Sequence, residues 1–312
     1  MPLLDFPLLQ RQDAETSEAV IAQLRGFAPF ESLSLLEAAD TAARDRADDE
    51  KLQAGVDIAV AKGVLPAGLV PAPYTTISVE GMSTDAIAAV ITSALPGGKG
   101  AVLVLVGLSG TGKGTTVARL AQQLPNAVTW SNGNVFRSLT LLAVKWCAAQ
   151  GLPGFSAEAA LTPANLAAFM GMLHFGRQAG GGFDIRVRGL GVDALVSDIA
   201  NTELKGPEVS RNIPTVAAQT QGEVVNFVAM ATQMMSEAGC NVIIEGREAT
   251  VNHIPTPYRF ALTLADPTTI GRRRAAQRIM AAAAKQFAGA EEPPSAADID
   301  GALKGFAGTM AA

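Results

Sequence analysis

The chain has 312 residues, of which 48 % are hydrophobic and 17 % charged, and its formal net charge is -5. That length can bury one large core or two modest ones. The acidic balance argues against a general nucleic-acid coat or a polybasic membrane surface, so an anionic ligand must be held by local arginines and backbone amides.

Two cysteines, Cys147 and Cys240, are too few for a zinc cluster and suit a reducing compartment. The opening MPLLDFPLLQRQDAE has neither the pattern of a signal peptide nor the arginine content of a transit peptide. No run approaches the roughly 18 apolar residues of a membrane helix. The expectation is a cytoplasmic protein with no membrane or nucleic-acid partner; nothing here determines its oligomeric state.

Residues 1–95 read as an α-rich N-terminal extension. TSEAVIAQLRGF places Val20, Ile21, Leu24 and Phe27 on one helical stripe, and KLQAGVDIAVAKG repeats the pattern with Leu52, Val56 and Val60 before stopping at Gly63. The mixed-sign run DTAARDRADDEK between them reads as a solvated helix face. LPAGLVPAPYTT has the Pro and Gly density of a linker near residues 66–75. TISVEG and STDAIAAVITSAL then read as a strand and a helix leading to the loop PGGKG.

From about residue 96 to 312 the pattern is one α/β domain. AVLVLVG is a continuous apolar run, as expected of a parallel strand covered on both faces. NAVTW, CNVIIEG and YRFALTLAD are further short strands with helical segments between them, which predicts a doubly wound parallel sheet. The interval from about 153 to 220, with its Gly-rich alternating GGGFDIRVRGLGVDALVSD, reads as an inserted small β-containing subdomain.

GLSGTGKGTT follows a predicted buried strand and opens a predicted helix, the context a phosphate-binding P-loop requires. Gly107, Gly110 and Gly112 let backbone N–H groups converge on phosphate oxygens, with Ser109, Thr111 and Gly114 completing the loop. Lys113 reaches the outer phosphates of ATP, and the helix start adds positive potential. Thr115 or Thr116 is placed to serve Mg²⁺. The Asn-Lys-x-Asp element of a GTPase is absent. The strand NVIIEGRE ends in Glu245 rather than in the Asp of motor-type ATPases, which favours a small kinase.

GKGTT, SNGNVFRSLTLLA, ELKGPEVSRNIPTVAA, VIIEGREATV and ALTLADPTTIGRRRAAQR occur in the order found in nucleoside monophosphate kinases. Over residues 101 to 285 the chain resembles the cytidylate kinase family in particular. The resemblance implies a P-loop kinase fold with an inserted acceptor-binding subdomain, ATP and Mg²⁺ as cofactors, and a small phosphate-bearing acceptor. It assigns Arg137 and Arg247 to the acceptor phosphate and sets some of Arg272, Arg273, Arg274 and Arg278 over the transferring phosphate or the adenine. Arg137, opposite the stripe Val135, Leu139, Leu142 and Trp146, is free to face a ligand. Arg247 just passes the carboxyl end of a buried strand, where open α/β sheets place ligands. Glu245 and Glu248 are candidates for organising magnesium or the acceptor's hydroxyls, and Asn132 and Lys205 for touching the acceptor.

Three departures from the family pattern keep the acceptor's identity open. Its base-reading serine and arginine correspond here to Pro214, with Thr215 beside it, and approximately to Glu223. Its Asp-Thr is Ser131-Asn132, with Asn134 following, and its late Arg-Asp pair with a further Asp and Arg is missing from the C-terminal stretch. The expected function is phosphorylation of a CMP- or dCMP-like nucleotide. The alternatives are a same-fold kinase for a different, cationic acceptor, motivated by Glu223, and a nucleotide-binding switch without turnover. His174 and His253 lack partner spacing for a metal site, and FMGMLHF, Trp130 and Trp146 read as core.

Overall fold

The computed structural model describes residues 4–97, 100–290 and 292–311. Helices α1 (Phe6–Arg11) and α2 (Ala14–Leu24) are capped by Asp5 and Asp13, which accept from the N–H of Leu8 and Thr16. Helix α3 then runs from Ala28 to Ala61. The second predicted helical stretch and the charge run before it are thus parts of one 34-residue helix. Its buried face is apolar at both ends, with Phe30 and Leu33 at one and Gly55, Val56 and Ala59 at the other. Between them the buried residues are polar: Ser34, Glu37, Thr41 and Asp45.

The sheet begins at β1 (Thr75–Ser78), followed by α4 (Thr84–Ser93), β2 (Val102–Gly107), α5 (Lys113–Gln123), β3 (Ala127–Trp130) and α6 (Gly133–Ala149). Next come α7 (Ala157–Ala160), α8 (Pro163–Gly171), β4 (Leu173–Arg177), β5 (Phe183–Gly189), β6 (Val192–Leu195) and α9 (Val196–Ile199). The chain continues through α10 (Pro207–Glu237), β7 (Asn241–Glu245), α11 (Glu248–Val251), β8 (Tyr258–Thr263), α12 (Pro267–Gln286) and α13 (Ala296–Ala311). Five strands form one parallel sheet in the order β1-β8-β2-β7-β3.

Strand β2 is central, and both its faces are covered. Val104 and Val106 enter a core with Leu139 of α6 and Val228 of α10, while Leu103 and Leu105 enter another with Ile91 of α4 and Leu120 of α5. That double burial explains the unbroken apolar run of β2. The architecture is therefore α/β, with helices on both faces of a parallel sheet.

Two boundaries differ from the sequence-based expectation. Strand β1, grouped with the N-terminal extension, pairs with β8 in register Thr75↔Phe260 to Ser78↔Thr263, so residues before 96 supply an edge of the sheet. Short edge strands carry little periodicity, and pairing decides their membership. The insertion does hold a three-stranded antiparallel sheet, β4-β5-β6. Its expected end near residue 220 falls inside α10 and not in a loop, at Thr220, where the helix kinks (φ -119°, ψ 18°).

A further core joins the two ends of the chain. Leu9, Val20, Leu24 and Phe30 pack against Ala275, Ile279 and Ala283 of α12 and Leu303 of α13. The alanines of α12 allow close approach, and at Gly271 the approach reaches backbone: an added Cβ would run into the Ser34 carbonyl oxygen and Ala38. No helix among the described residues is long and apolar enough to cross a membrane.

Gly271→Ala is expected to destabilise the fold by about 3 kcal/mol through this overpacking. Gly305→Ala, in an open and exposed part of α13, should raise stability by about 0.5–1 kcal/mol. Chemical denaturation of both variants checks the contrast in sign.

Candidate functional site

The loop from Gly107 to Gly112 turns the chain from β2 into α5. Gly110 and Gly112 have φ of 86° and 84°, where a side chain is strained, and Gly110 also has Ile270 Cγ2 2.9 Å from where a Cβ would stand. Thr111 steadies the turn by donating its hydroxyl to the Leu108 carbonyl at 2.8 Å. Lys113 opens α5 and folds back, its ammonium donating to the carbonyls of Gly107 at 2.7 Å and Leu108 at 2.9 Å. Burial lowers its pKa, helped by Arg247 and Arg274 and opposed by Glu245 and Asp45. Gly114 and Thr115 are exposed at the helix start, Thr115 donating to the Gly112 carbonyl at 2.8 Å. Thr116 is buried, and its hydroxyl has no partner among the described residues.

Strand β7 runs beside β2 with Glu245 opposite Leu105, so the predicted carboxylate emerges next to the loop. Glu245, Lys113, Ser109, Trp130, Ser131 and Arg247 are among the residues lining a cavity of about 470 Å³. On the other side of Arg247, a cavity of about 630 Å³ lies against the carboxyl ends of β2 and β8. Asp49 and Glu50 of α3 and Glu248 at the start of α11 place carboxylates on its wall. A third cavity, about 430 Å³, is lined by Val79, Met82 and Ile87, by Thr115 and Thr116 of α5, and by Arg273.

The least expected member of the site is Asp45. Its side chain is 6 % exposed, and it lies on the loop. Asp45 accepts from the Ser109 N–H at 2.8 Å, the Ser109 hydroxyl at 2.6 Å and Arg247 Nη2 at 2.5 Å. Burial by itself would raise the pKa of this carboxyl, but the Arg247 guanidinium and the two Ser109 donors outweigh it and hold the pKa at about 2. Asp49 stands 3.7 Å from the same guanidinium. The solvated-face reading of DTAARDRADDEK is therefore corrected at Asp45: one of the run's acids is buried on a donor-rich loop.

The arginines of α12 follow the same pattern. Arg272 pairs with Glu31 at 3.2 Å, Arg273 with Glu18 at 3.4 Å, and Arg278 with Glu37. All three acids come from α2 and α3. Arg274 is the exception: it makes no ion pair among the described residues, its Nε is buried without a partner, and its charge is felt at Lys113.

The remaining candidates divide. Arg137 makes no ion pair among the described residues and donates to Asn134 Oδ1 at 3.3 Å. Asn134 itself lines a small cavity with Trp130 and Ser131. Asn132 is tied to Trp130, accepting from its indole N–H at 3.0 Å. Lys205 is exposed and donates to Asn201 at 2.8 Å, a surface arrangement. Thr215 is exposed on α10 beside Pro214. Glu223 lines none of these cavities; its Oε2 is buried with no partner among the described residues, in the part of α10 where an added Cβ at Gly222 would meet Ala59 and Val64. The observation that motivated a cationic acceptor is thus not on the wall of the site.

Sequence reasoning missed Asp45 and its acidic neighbours, yet a signal was present. Ser34, Glu37, Thr41 and Asp45 recur at helical spacing, a polar stripe continuous with the apolar one. Arg44-Asp45, followed by Asp48 and Lys51, stands in α3 with its aspartate on the loop. No protein-family model matches the chain, and no curated protein is detectably similar to it.

The Asp45 carboxyl has an ordinary pKa of 3.8 and a folded one of about 2. Its stabilisation is complete above pH 3.8 and is lost as pH falls through about 2. A shift of that size corresponds to about 2 kcal/mol. Asp45→Asn should therefore be less stable than wild type by about that amount at pH 7, with the gap narrowing below pH 3.8. Urea denaturation across pH measures it.

Proposed function

We propose that the chain is an ATP-dependent phosphotransferase with a P-loop kinase fold, acting on a nucleoside monophosphate of CMP or dCMP type. The observation that carries this reading is a juxtaposition on neighbouring strands. The glycine-rich loop and Lys113 end β2, and Glu245 ends β7 one strand away, across a shared cavity. Arg247 lines that cavity, Arg137 donates to Asn134 at the start of α6, and Arg274 makes no ion pair among the described residues.

In this reading the loop amides and Lys113 hold the β- and γ-phosphates. The cavity of about 430 Å³ takes the adenine, with Val79, Met82 and Ile87 as its apolar wall. The cavity holding Glu245, Ser131 and Arg247 takes the acceptor phosphate. An acceptor phosphate oxygen forms a bond to the γ-phosphorus while the bond to the β–γ bridging oxygen breaks, leaving ADP. That nucleophile is already ionised, so no general base is needed, and catalysis rests on positioning and charge neutralisation.

Thr115 and Glu245 suit a magnesium ion, since both are exposed beside the loop and Glu245 makes no ion pair among the described residues. The ion would neutralise developing charge on the phosphates. No group of three or more metal-ligating side chains occurs among the described residues, so phosphate oxygens and water would supply the remaining ligands.

One observation favours a second acceptor class. Asp49, Glu50 and Glu248 line the larger cavity beside the loop, and such a wall suits a small cationic compound bearing a hydroxyl. The test is ATP consumption with a panel of nucleoside monophosphates and of amino- and guanidino-alcohols. Turnover on CMP or dCMP upholds the first reading, and turnover only on a cationic alcohol replaces it. Nucleotide binding with no acceptor-dependent turnover supports a switch. Lys113→Ala and Arg274→Ala should each lower turnover by about a hundredfold or more.

A further inference from the structure

Helix α3 crosses the loop as a strap fastened at its ends. At one end Phe30 and Leu33 are sunk in the core shared with α12 and α13. At the other, Val56 and Ala59 pack with Val225 of α10, and an added Cβ at Gly55 would collide with Gln221. Between these anchors the buried face is wholly polar: Ser34, Glu37, Thr41 and Asp45. A polar seam lacks the stabilisation that apolar burial contributes. The middle of α3 is therefore held by its acids.

Those acids do what a bound polyanion would do. Asp45 takes the backbone N–H and hydroxyl of Ser109 and the guanidinium of Arg247, and Asp49 approaches the same arginine. Glu37 takes Arg278, and Glu31, near the anchored start of α3, takes Arg272. A phosphate chain seated on this loop needs the donors that Asp45 occupies, and two anions cannot share them in a buried place.

We propose that α3 is an intramolecular plug, with Asp45 as a resident anion on the phosphate site, and that a polyphosphate binds by displacing this carboxylate. Arg247 lines both cavities that flank the loop, so exchanging Asp45 for a phosphate oxygen keeps the guanidinium in place and relieves its pairing with α3. The anchored ends stay docked, and the segment between Thr41 and Leu52 yields. This inference rests on the loop being a polyphosphate site; it does not require turnover.

The test uses the 312-residue chain and inorganic tripolyphosphate, with no nucleotide present. By isothermal titration, Asp45→Asn should bind tripolyphosphate at least tenfold more tightly than wild type, and Lys113→Ala at least tenfold more weakly. Equal or weaker binding by a folded Asp45→Asn variant overturns the plug. Should that variant not fold, hydrogen exchange on wild type decides. Saturating tripolyphosphate should speed exchange of amides 41–52 tenfold or more while 30–34 and 56–60 stay protected, and unchanged or slower exchange at 41–52 overturns the plug. Tighter tripolyphosphate binding by Asp45→Asn without any acceptor-dependent ATP turnover would remove the phosphotransferase reading alone. Turnover together with unimproved binding would remove the plug alone.

Discussion

The carboxylate of Asp45 on the Ser109 N–H and hydroxyl is the contact that ties helix α3 to the neighbouring carboxyl ends of β2 and β7. It joins a helix from the first 61 residues to the loop between β2 and α5, and through Arg247 to the end of β7. A buried carboxylate is tolerated because three donors meet it, which is also why its pKa falls to about 2 despite burial. Charge balance at the loop is consequently internal. Lys113 is left facing backbone carbonyls, with Glu245 and Asp45 opposing the two nearby arginines.

Helix α12 makes this contact possible. Its alanine-rich stripe packs against α1, α2 and the start of α3, and Gly271 lets α3 approach to backbone contact. The arginines of α12 project from the same helix and are met by Glu18, Glu31 and Glu37. Partly exposed pairs of this kind contribute little stability singly. Together they remove three of the four arginines from the set free to meet a phosphate, and Arg274 is the one that remains.

Much of the site was readable because it is local. The run VLVLVG, the glycine-rich loop and the helix from Lys113 are contiguous, and each uses a short-range rule of backbone geometry or burial. Glu245 was readable for a similar reason, since a buried apolar strand must end, and the residues just past its end line the crevice. The antiparallel insertion announced itself through alternation and glycines. Thr215 and Glu223 were not readable in this way. Both lie on α10, and their distance from the cavities depends on how that long helix packs on α3.

Sequence alone determined the strand–loop–helix unit at residues 102–123, the carboxylate ending β7 and the α/β class, because these follow from neighbours along the chain and from periodicity. Tertiary structure decided which charges are available. DTAARDRADDEK has the composition of a solvated face, and only the crossing of α3 over the loop buries Asp45 there. Likewise β1 became an edge of the sheet by pairing with β8, a partner some 180 residues away. The physical reason is common to both: burial and ion pairing are properties of residues that meet in space, and no local pattern encodes whom a side chain will meet.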